Sequence, residues 1–200
     1  MKRFGLMALS ALVLVGAGCA PAAQENSSLT FSYPDQEVET SMPSWEFPGV
    51  LSQEEIASKQ IHISTAKGDI VFELFADTAP VTVSNFVYLT QNGYYDGITF
   101  HRREEGFVIQ GGDPNGNGTG GPGYEFPDEL ADDYTYERGM VAMANRGPNT
   151  NGSQFFIMLG NTPLPKAYTI FGRVTEGMEV VDEMAVGDVM TTVAVESAAQ

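Results

Sequence analysis

The stretch from Phe100 to Asp113, FHRREEGFVIQGGD, sets two adjacent arginines, Arg102 and Arg103, beside an apolar run bounded by glycines. The chain otherwise avoids positive charge, holding ten Lys and Arg against 26 Asp and Glu. A guanidinium stays protonated and offers five N–H donors in one plane, so its chemistry is to stabilise an electron pair or a developing charge. The usual companions of bond-breaking catalysis are missing around it. No cysteine or carboxylate repeats at ligand spacing near His62 or His101, so no metal site is expected. His62 falls on the strand face opposite Ile61 and Ile63, and His101 reads as a hydrogen-bonded core histidine rather than a ligand or base. Ser153 lies in TNGSQFF, not in the strained elbow of a hydrolase nucleophile. The run GNGTGG, Gly116 to Gly121, formally satisfies G-x-G-x-x-G, but Asp113-Pro114-Asn115 precedes it and Pro122-Gly123 follows. No helix N-terminus is available there for a pyrophosphate, so the run reads as a tight, backbone-exposed loop and no cofactor is expected.

Alternation along a strand cannot aim both arginines to one side. If Phe100 faces inward, Arg102 shares its face and Arg103 shares that of His101. One guanidinium then projects among apolar and aromatic side chains, where it needs acceptors. The bland alternative is a pair of surface contacts with Glu104 and Glu105, worth little.

Strands must carry this stretch. QIHISTAKGDIVFELF alternates Ile61 and Ile63, then Ile70, Phe72 and Leu74, around a turn at Lys67-Gly68. DTAPVTVSNFVYLTQNG reads as a helix: Asp77 or Thr78 can cap it, Pro80 suits its first turn and Gly93 follows its end. Its Ala79, Val83, Phe86, Val87 and Thr90 form one buried face. Strand signals then return in ITFHR, GFVIQGG, GMVAMAN, SQFFIML and YTIFGRV, a second helix is expected over Gly177 to Met184, and DVMTTVAVES suits a last strand. Many short strands with two helices and no βαβ alternation predict a mostly β fold, a closed antiparallel barrel.

The rest of the chain speaks to location. A basic start, Lys2-Arg3, leads into an uncharged run too short for a comfortable membrane span and of signal-peptide proportions. It ends in VGAGCA, which resembles a bacterial lipoprotein processing site with Cys19, the only cysteine, as the lipid-bearing residue. An ordinary secretory signal with an incidental cysteine is the alternative, and either takes the chain out of the cytoplasm. The expected organisation is a lipoprotein signal peptide over 1–18, an acidic Pro/Ser-containing tether over 19–58 and a folded domain over 59–195. Within the tether Trp45 and Phe47 are candidates to dock on the domain, and LSQEEIAS can form one or two helical turns. A net charge of −16 argues against nucleic acid or anionic lipid as the main partner.

FHRREEGFVIQGGD, GTGGPGYEFPDE, GMVAMANRGPNTNGSQFFIM and YTIFGRVTEGMEVVDEM, in that order, resemble the cyclophilins, which are peptidyl-prolyl cis-trans isomerases. The resemblance runs from about Lys59 to Met184. It implies a closed eight-stranded antiparallel barrel with two capping α-helices, in a lipid-anchored bacterial form. It implies catalytic roles for Arg102, Gln110 and Phe107, with Val108 and Phe156 lining the proline pocket. Ala144 and Asn145 match the family's peptide-binding wall, Gln154 a polar residue beside the site, and Gly116 to Gly121 its rim loop. Val108 stands where a methionine is common, Leu164 or Pro163 where many members have the tryptophan associated with tight cyclosporin binding, and Tyr168 where many have a histidine. Leu164 and Tyr168 still supply an apolar wall and a hydroxyl. The implied activity is rotation about X–Pro bonds of proline-containing polypeptides, assisting folding of exported proteins at the cell envelope, by a monomer anchored through Cys19. A groove that only holds proline segments, without turnover, has less need of Arg102.

Overall fold

The computed structural model describes residues 44–198. The signal segment, Cys19 and the tether up to residue 43 lie outside the described residues. Among the described residues, no helix is long and apolar enough to cross a membrane.

The chain order is α1 (Gln53–Ile56), β1 (Lys59–Thr65), β2 (Gly68–Leu74), α2 (Pro80–Gln91), β3 (Arg102–Glu104), β4 (Val108–Gly111), β5 (Met140–Met143), β6 (Phe155–Met158), β7 (Ile170–Glu176), α3 (Met178–Glu183) and β8 (Thr192–Ser197). All eight strands join one sheet in the order β3-β4-β6-β5-β7-β2-β1-β8, and every pairing is antiparallel. The expected closure is not present as strand pairing. β3 and β8 stand at the two ends of the order, so the sheet is an open half-barrel. The segments just before these strands bridge the gap, with Gly97 N–H donating to Met190 O at 2.8 Å and Phe100 N–H to Asp188 O at 2.9 Å around an isolated Thr99–Val189 bridge. β3, three residues long, turns away at Glu105-Gly106 before it can pair further.

The concave interior holds the main core. Ile61, Ile63, Ile70 and Phe72 come from the first hairpin, and Val83, Phe86 and Val87 from α2, as their spacing requires. Phe86 stacks on Tyr95 with ring centroids 4.5 Å apart and meets Phe155 edge-on at 5.3 Å. α2 keeps Pro80 in its first turn, and Gly93, at φ 71°, follows its end. Its N-terminus is capped differently from the expectation. Ala79 occupies the cap position, and the Glu129 carboxylate, far along the chain, accepts Val81 N–H at 3.0 Å and Thr82 N–H at 2.8 Å. An acid from a distant loop thereby satisfies the orphan donors and the positive end of the helix dipole. α3 starts one residue after Gly177 and buries Val181, with Met184 buried just past its end.

A second apolar layer covers the convex side of the sheet. β5 and β6 are buried on both faces: Val141, Met143, Phe155 and Ile157 point into the core, while Met140, Ala142, Phe156 and Met158 belong to the outer cluster. Tyr136, Leu164 and Tyr168 cover that outer cluster from the loops.

Candidate active site

Strand register lines up one row of side chains across this outer face. Arg102 on β3 pairs with Gln110 on β4, Gln110 with Phe156 on β6, Phe156 with Ala142 on β5, and Ala142 with Ile170 on β7. Arg103 sits in the neighbouring row, opposite the core residue Ile109. The two arginines are therefore separated by face, as alternation demands. The assignment through Phe100 does not hold. Phe100 lies wholly in the interior core, yet Arg102 is on the outer face. The pleat is irregular here: regular strand begins only at Arg102, and His101 N–H donates to the carbonyl of Gln110, the residue that Arg102 faces.

The Arg102 guanidinium lies at the edge of the apolar patch rather than within it. Its side chain is 47% exposed, Nη1 donates to Gln110 Oε1 at 3.3 Å, and Nε lies 3.6 Å from Glu104. The exposed ion pair is loose and constrains it little. Gln110 passes the orientation on: its Nε2 donates to Gln154 Oε1 at 2.9 Å, and Gln154 Nε2 donates to Gly120 O at 2.9 Å. Arg102, Gln110, Gln154 and the Gly116–Gly121 loop thus form one polar chain, with each amide held by both ends. The loop is tight, as expected, and its anchor is Asp113. That buried carboxylate accepts the backbone N–H groups of Asn115, Asn117 and Gly118. Burial raises its affinity for a proton, but the three N–H donors outweigh this and hold its carboxyl below the ordinary range.

The structure brings together the apolar residues named from the sequence. Val108 and Phe156 are buried in the outer cluster, and Phe107, Ala144, Leu164 and Tyr168 pack on it half-buried. Tyr168 meets Phe156 edge-on with ring centroids 5.6 Å apart. Asn145 Nδ2 donates to Ala167 O at 2.9 Å, which ties the end of β5 to the loop carrying Leu164 and Tyr168. Beside this patch, across Gln110 and Gln154, opens a cavity of about 590 Å³. Its walls include Tyr124, Ala144, Asn145 and Thr150, and at its mouth Arg146 pairs with Glu125 at 2.8 Å.

Four residues behind the patch escaped the sequence reading. Met140, Met158 and Ile170 form its floor, and Tyr136 pins its wall, donating from its hydroxyl to Tyr168 O at 2.8 Å and accepting Tyr168 N–H at 3.1 Å. Alternation in GMVAMAN and SQFFIML would have found the methionines, because Met140, Ala142 and Ala144 share one parity, as do Gln154, Phe156 and Met158. Nothing local marks Tyr136. His101 is a half-buried ring against the rim loop, and both its nitrogens lack protein partners. Burial pushes its pKa below the ordinary histidine value. Arg103 is structural: its Nη1 donates to Val181 O at 3.3 Å and Met184 O at 2.9 Å, capping the carbonyl end of α3. Among the described residues, no cluster of His, Cys, Asp and Glu could hold a metal ion.

Comparison with known proteins adds four findings. A family model described as cyclophilin-type peptidyl-prolyl cis-trans isomerase matches residues 60–199. Peptidyl-prolyl cis-trans isomerase B of Bacillus subtilis is 50% identical over 129 residues, 64% of this chain and 90% of that protein. Peptidyl-prolyl cis-trans isomerase A of Mycobacterium tuberculosis is 46% identical over 149 residues, covering 65% and 82%. A crystal structure of a Cryptosporidium parvum cyclophilin-type isomerase in the presence of the dipeptide Ala-Pro superposes with a TM-score of 0.64 at 36% identity, covering 69% of this chain and 99% of that one.

Proposed function

The chain belongs to the cyclophilin-type peptidyl-prolyl cis-trans isomerases, and from that premise we propose that it rotates X–Pro bonds at the row running from Arg102 to Phe156. The observation that carries this reading is the register that sets a guanidinium, an amide relay and an apolar floor side by side on one face.

Rotation about a peptide C–N bond meets a barrier of ~18–20 kcal/mol, because the nitrogen lone pair is shared with the carbonyl. Unaided X–Pro isomerisation takes ~10–100 s. Bringing it to milliseconds is about five decades, or about 7 kcal/mol off the barrier. No bond breaks, so the site needs only to favour the twisted amide over both planar forms. In the twisted state the prolyl nitrogen becomes pyramidal and regains an accepting lone pair. Arg102 donates to that lone pair, with Gln110 and Gln154 holding its direction. Phe107, Val108, Phe156, Leu164 and Tyr168 grip the pyrrolidine ring, and the main chain at Ala144 and Asn145 aligns the peptide. The grip adds orientation and a surrounding less polar than water, which disfavours the charge-separated planar amide.

The substrates are proline-containing segments of exported polypeptides, and the site of action is the bacterial cell envelope. The support is the basic-then-apolar run over residues 1–18, the Cys19 that follows it and the acidic tether. Two measurements test the reading. A protease-coupled isomerisation assay of wild type and Arg102→Ala tests the site; equal turnover refutes it. Metabolic labelling with a radioactive fatty acid tests the anchor; an unlabelled wild-type chain, or a Cys19→Ala chain labelled like wild type, refutes it.

A further inference from the structure

Residues 45–51 precede the residues that the family model matches, yet they lie on the isomerase domain as an aromatic strap. Trp45 meets Tyr94 edge-on at 5.2 Å and Tyr88 at 6.3 Å. Phe47 stacks on Phe126 at 5.6 Å and meets Tyr124 at 5.7 Å. Leu51 N–H donates to Ser84 Oγ on α2 at 2.9 Å, so the strap is fastened by the main chain as well as by rings.

Two of those ring partners lead to one place. Ser153 Oγ donates its proton to Gly112 O at 2.6 Å, so at the 2.9 Å contact between Tyr94 and Ser153 the phenol must be the donor. Burial, pushing the Tyr94 pKa up to about 12, keeps that proton in place. Tyr124 OH donates to Asn85 Oδ1 at 2.7 Å, and Asn85 Nδ2 donates to Gly152 O at 2.9 Å. Gly152 and Ser153 run directly into Gln154, the amide that orients Gln110 behind Arg102. Tyr124 is also a wall of the cavity beside the proline patch.

From this convergence we propose that the strap positions the Gly152–Gln154 wall and thereby sets the affinity of the groove for its peptide, with Trp45 and Phe47 as positioning residues. The proposal rests on the assignment of the Arg102–Phe156 face as the active site. A strap that merely covers apolar surface would contribute to melting temperature and leave peptide affinity alone.

The test uses the full chain in the protease-coupled assay over a range of X–Pro peptide concentrations. Phe47→Ala raises KM by about 3- to 10-fold with kcat within about twofold, the range expected of a coupling residue that touches no substrate. Phe47→Tyr, which keeps the stacked ring, restores KM to near wild type. An unchanged KM in a folded Phe47→Ala chain overturns the proposal. If Phe47→Ala does not fold, the wild type decides: Trp45 is the only tryptophan, and reciprocity of coupling requires peptide binding to reach it. A saturable change in its emission on titration with a proline peptide supports the proposal, and a flat titration overturns it. Arg102→Ala, run alongside, separates the failures. Undiminished turnover there overturns the site and the strap together, whereas lost turnover with an unaltered Phe47→Ala overturns the strap alone.

Discussion

Replacing Arg102 by alanine removes the one cation that faces the proposed prolyl nitrogen. In the folded ground state it loses a 3.3 Å hydrogen bond to Gln110 and a 3.6 Å contact with Glu104, on a side chain 47% exposed. An exposed pair of this kind is worth about 0–1 kcal/mol. For a domain of this size that shifts Tm by no more than about 4 °C. The transition state loses more. A preorganised donor in a dry site contributes roughly 3–4 kcal/mol. Arg102 is half solvated until substrate covers it, so about 1.5–3 kcal/mol is the expected share, in the range of hydrogen bonds to charged groups. That is about a 10- to 160-fold fall in kcat/KM. The assay is protease-coupled isomerisation, with circular dichroism melts of the same preparations. Arg102→Lys keeps the charge but loses the planar fork, and it falls between alanine and wild type. A fall of less than about threefold for Arg102→Ala, against the decade that 1.36 kcal/mol brings, would refute the reasoning. So would a loss of activity matched by a large drop in Tm, since that would make the arginine structural.

Arg103→Ala has the opposite signature: it uncaps the Val181 and Met184 carbonyls, lowering Tm by several degrees while kcat/KM stays within about twofold. Phe156→Ala empties a side chain only 5% exposed and costs about 3 kcal/mol in denaturant melts, with calorimetry showing weakened proline-peptide binding. Lys166→Met leaves the Asp132 carboxylate, 1% exposed, without its cation, and it loosens the loop bearing Leu164. That variant loses about 2 kcal/mol, less than a fully buried pair, as chemical denaturation will show. His62 carries a pH effect: its hydrogen bond to Glu196 is the largest cause of a raised folded pKa, with Asp69 3.4 Å from its other nitrogen. Its stabilisation is therefore full below the unfolded value of about 6.5 and is lost as pH rises through the folded value. The difference in Tm between wild type and His62→Gln narrows from pH 6 to pH 8, and a constant difference refutes the linkage.

Part of the candidate site was legible because strand period and side-chain chemistry are local, and the resemblance to the cyclophilins named the rest. FHRREEGFVIQGGD exposed the arginine pair, and alternation required that one of them serve the groove and the other the core. Alternation could not say which, because the backbone irregularity between Phe100 and Arg102 breaks the count, and only the pairing with β4 restores it. The α2 cap shows the same limit. Asp77 and Thr78 are the local candidates, but a carboxylate brought in by the loop at Glu129 takes the position. Tyr136 acts through a contact with Tyr168, 32 residues along the chain, that no short window of sequence displays.

Sequence alone determined the strands, the main helices and the lack of a nucleophile beside Arg102, since each follows from types and spacing within a dozen residues, while the residues that could act on an X–Pro bond came from the resemblance of longer stretches to the cyclophilins. Tertiary structure decided that the sheet stays open between β3 and β8, because a three-residue strand turns away before its edge can pair. It also decided which arginine shares a face with Phe156, and it laid Trp45 against Tyr88 and Tyr94 and Phe47 against Tyr124 and Phe126. Those outcomes depend on distances between segments far apart in the chain, and such distances are set only when the hydrophobic core brings the segments together.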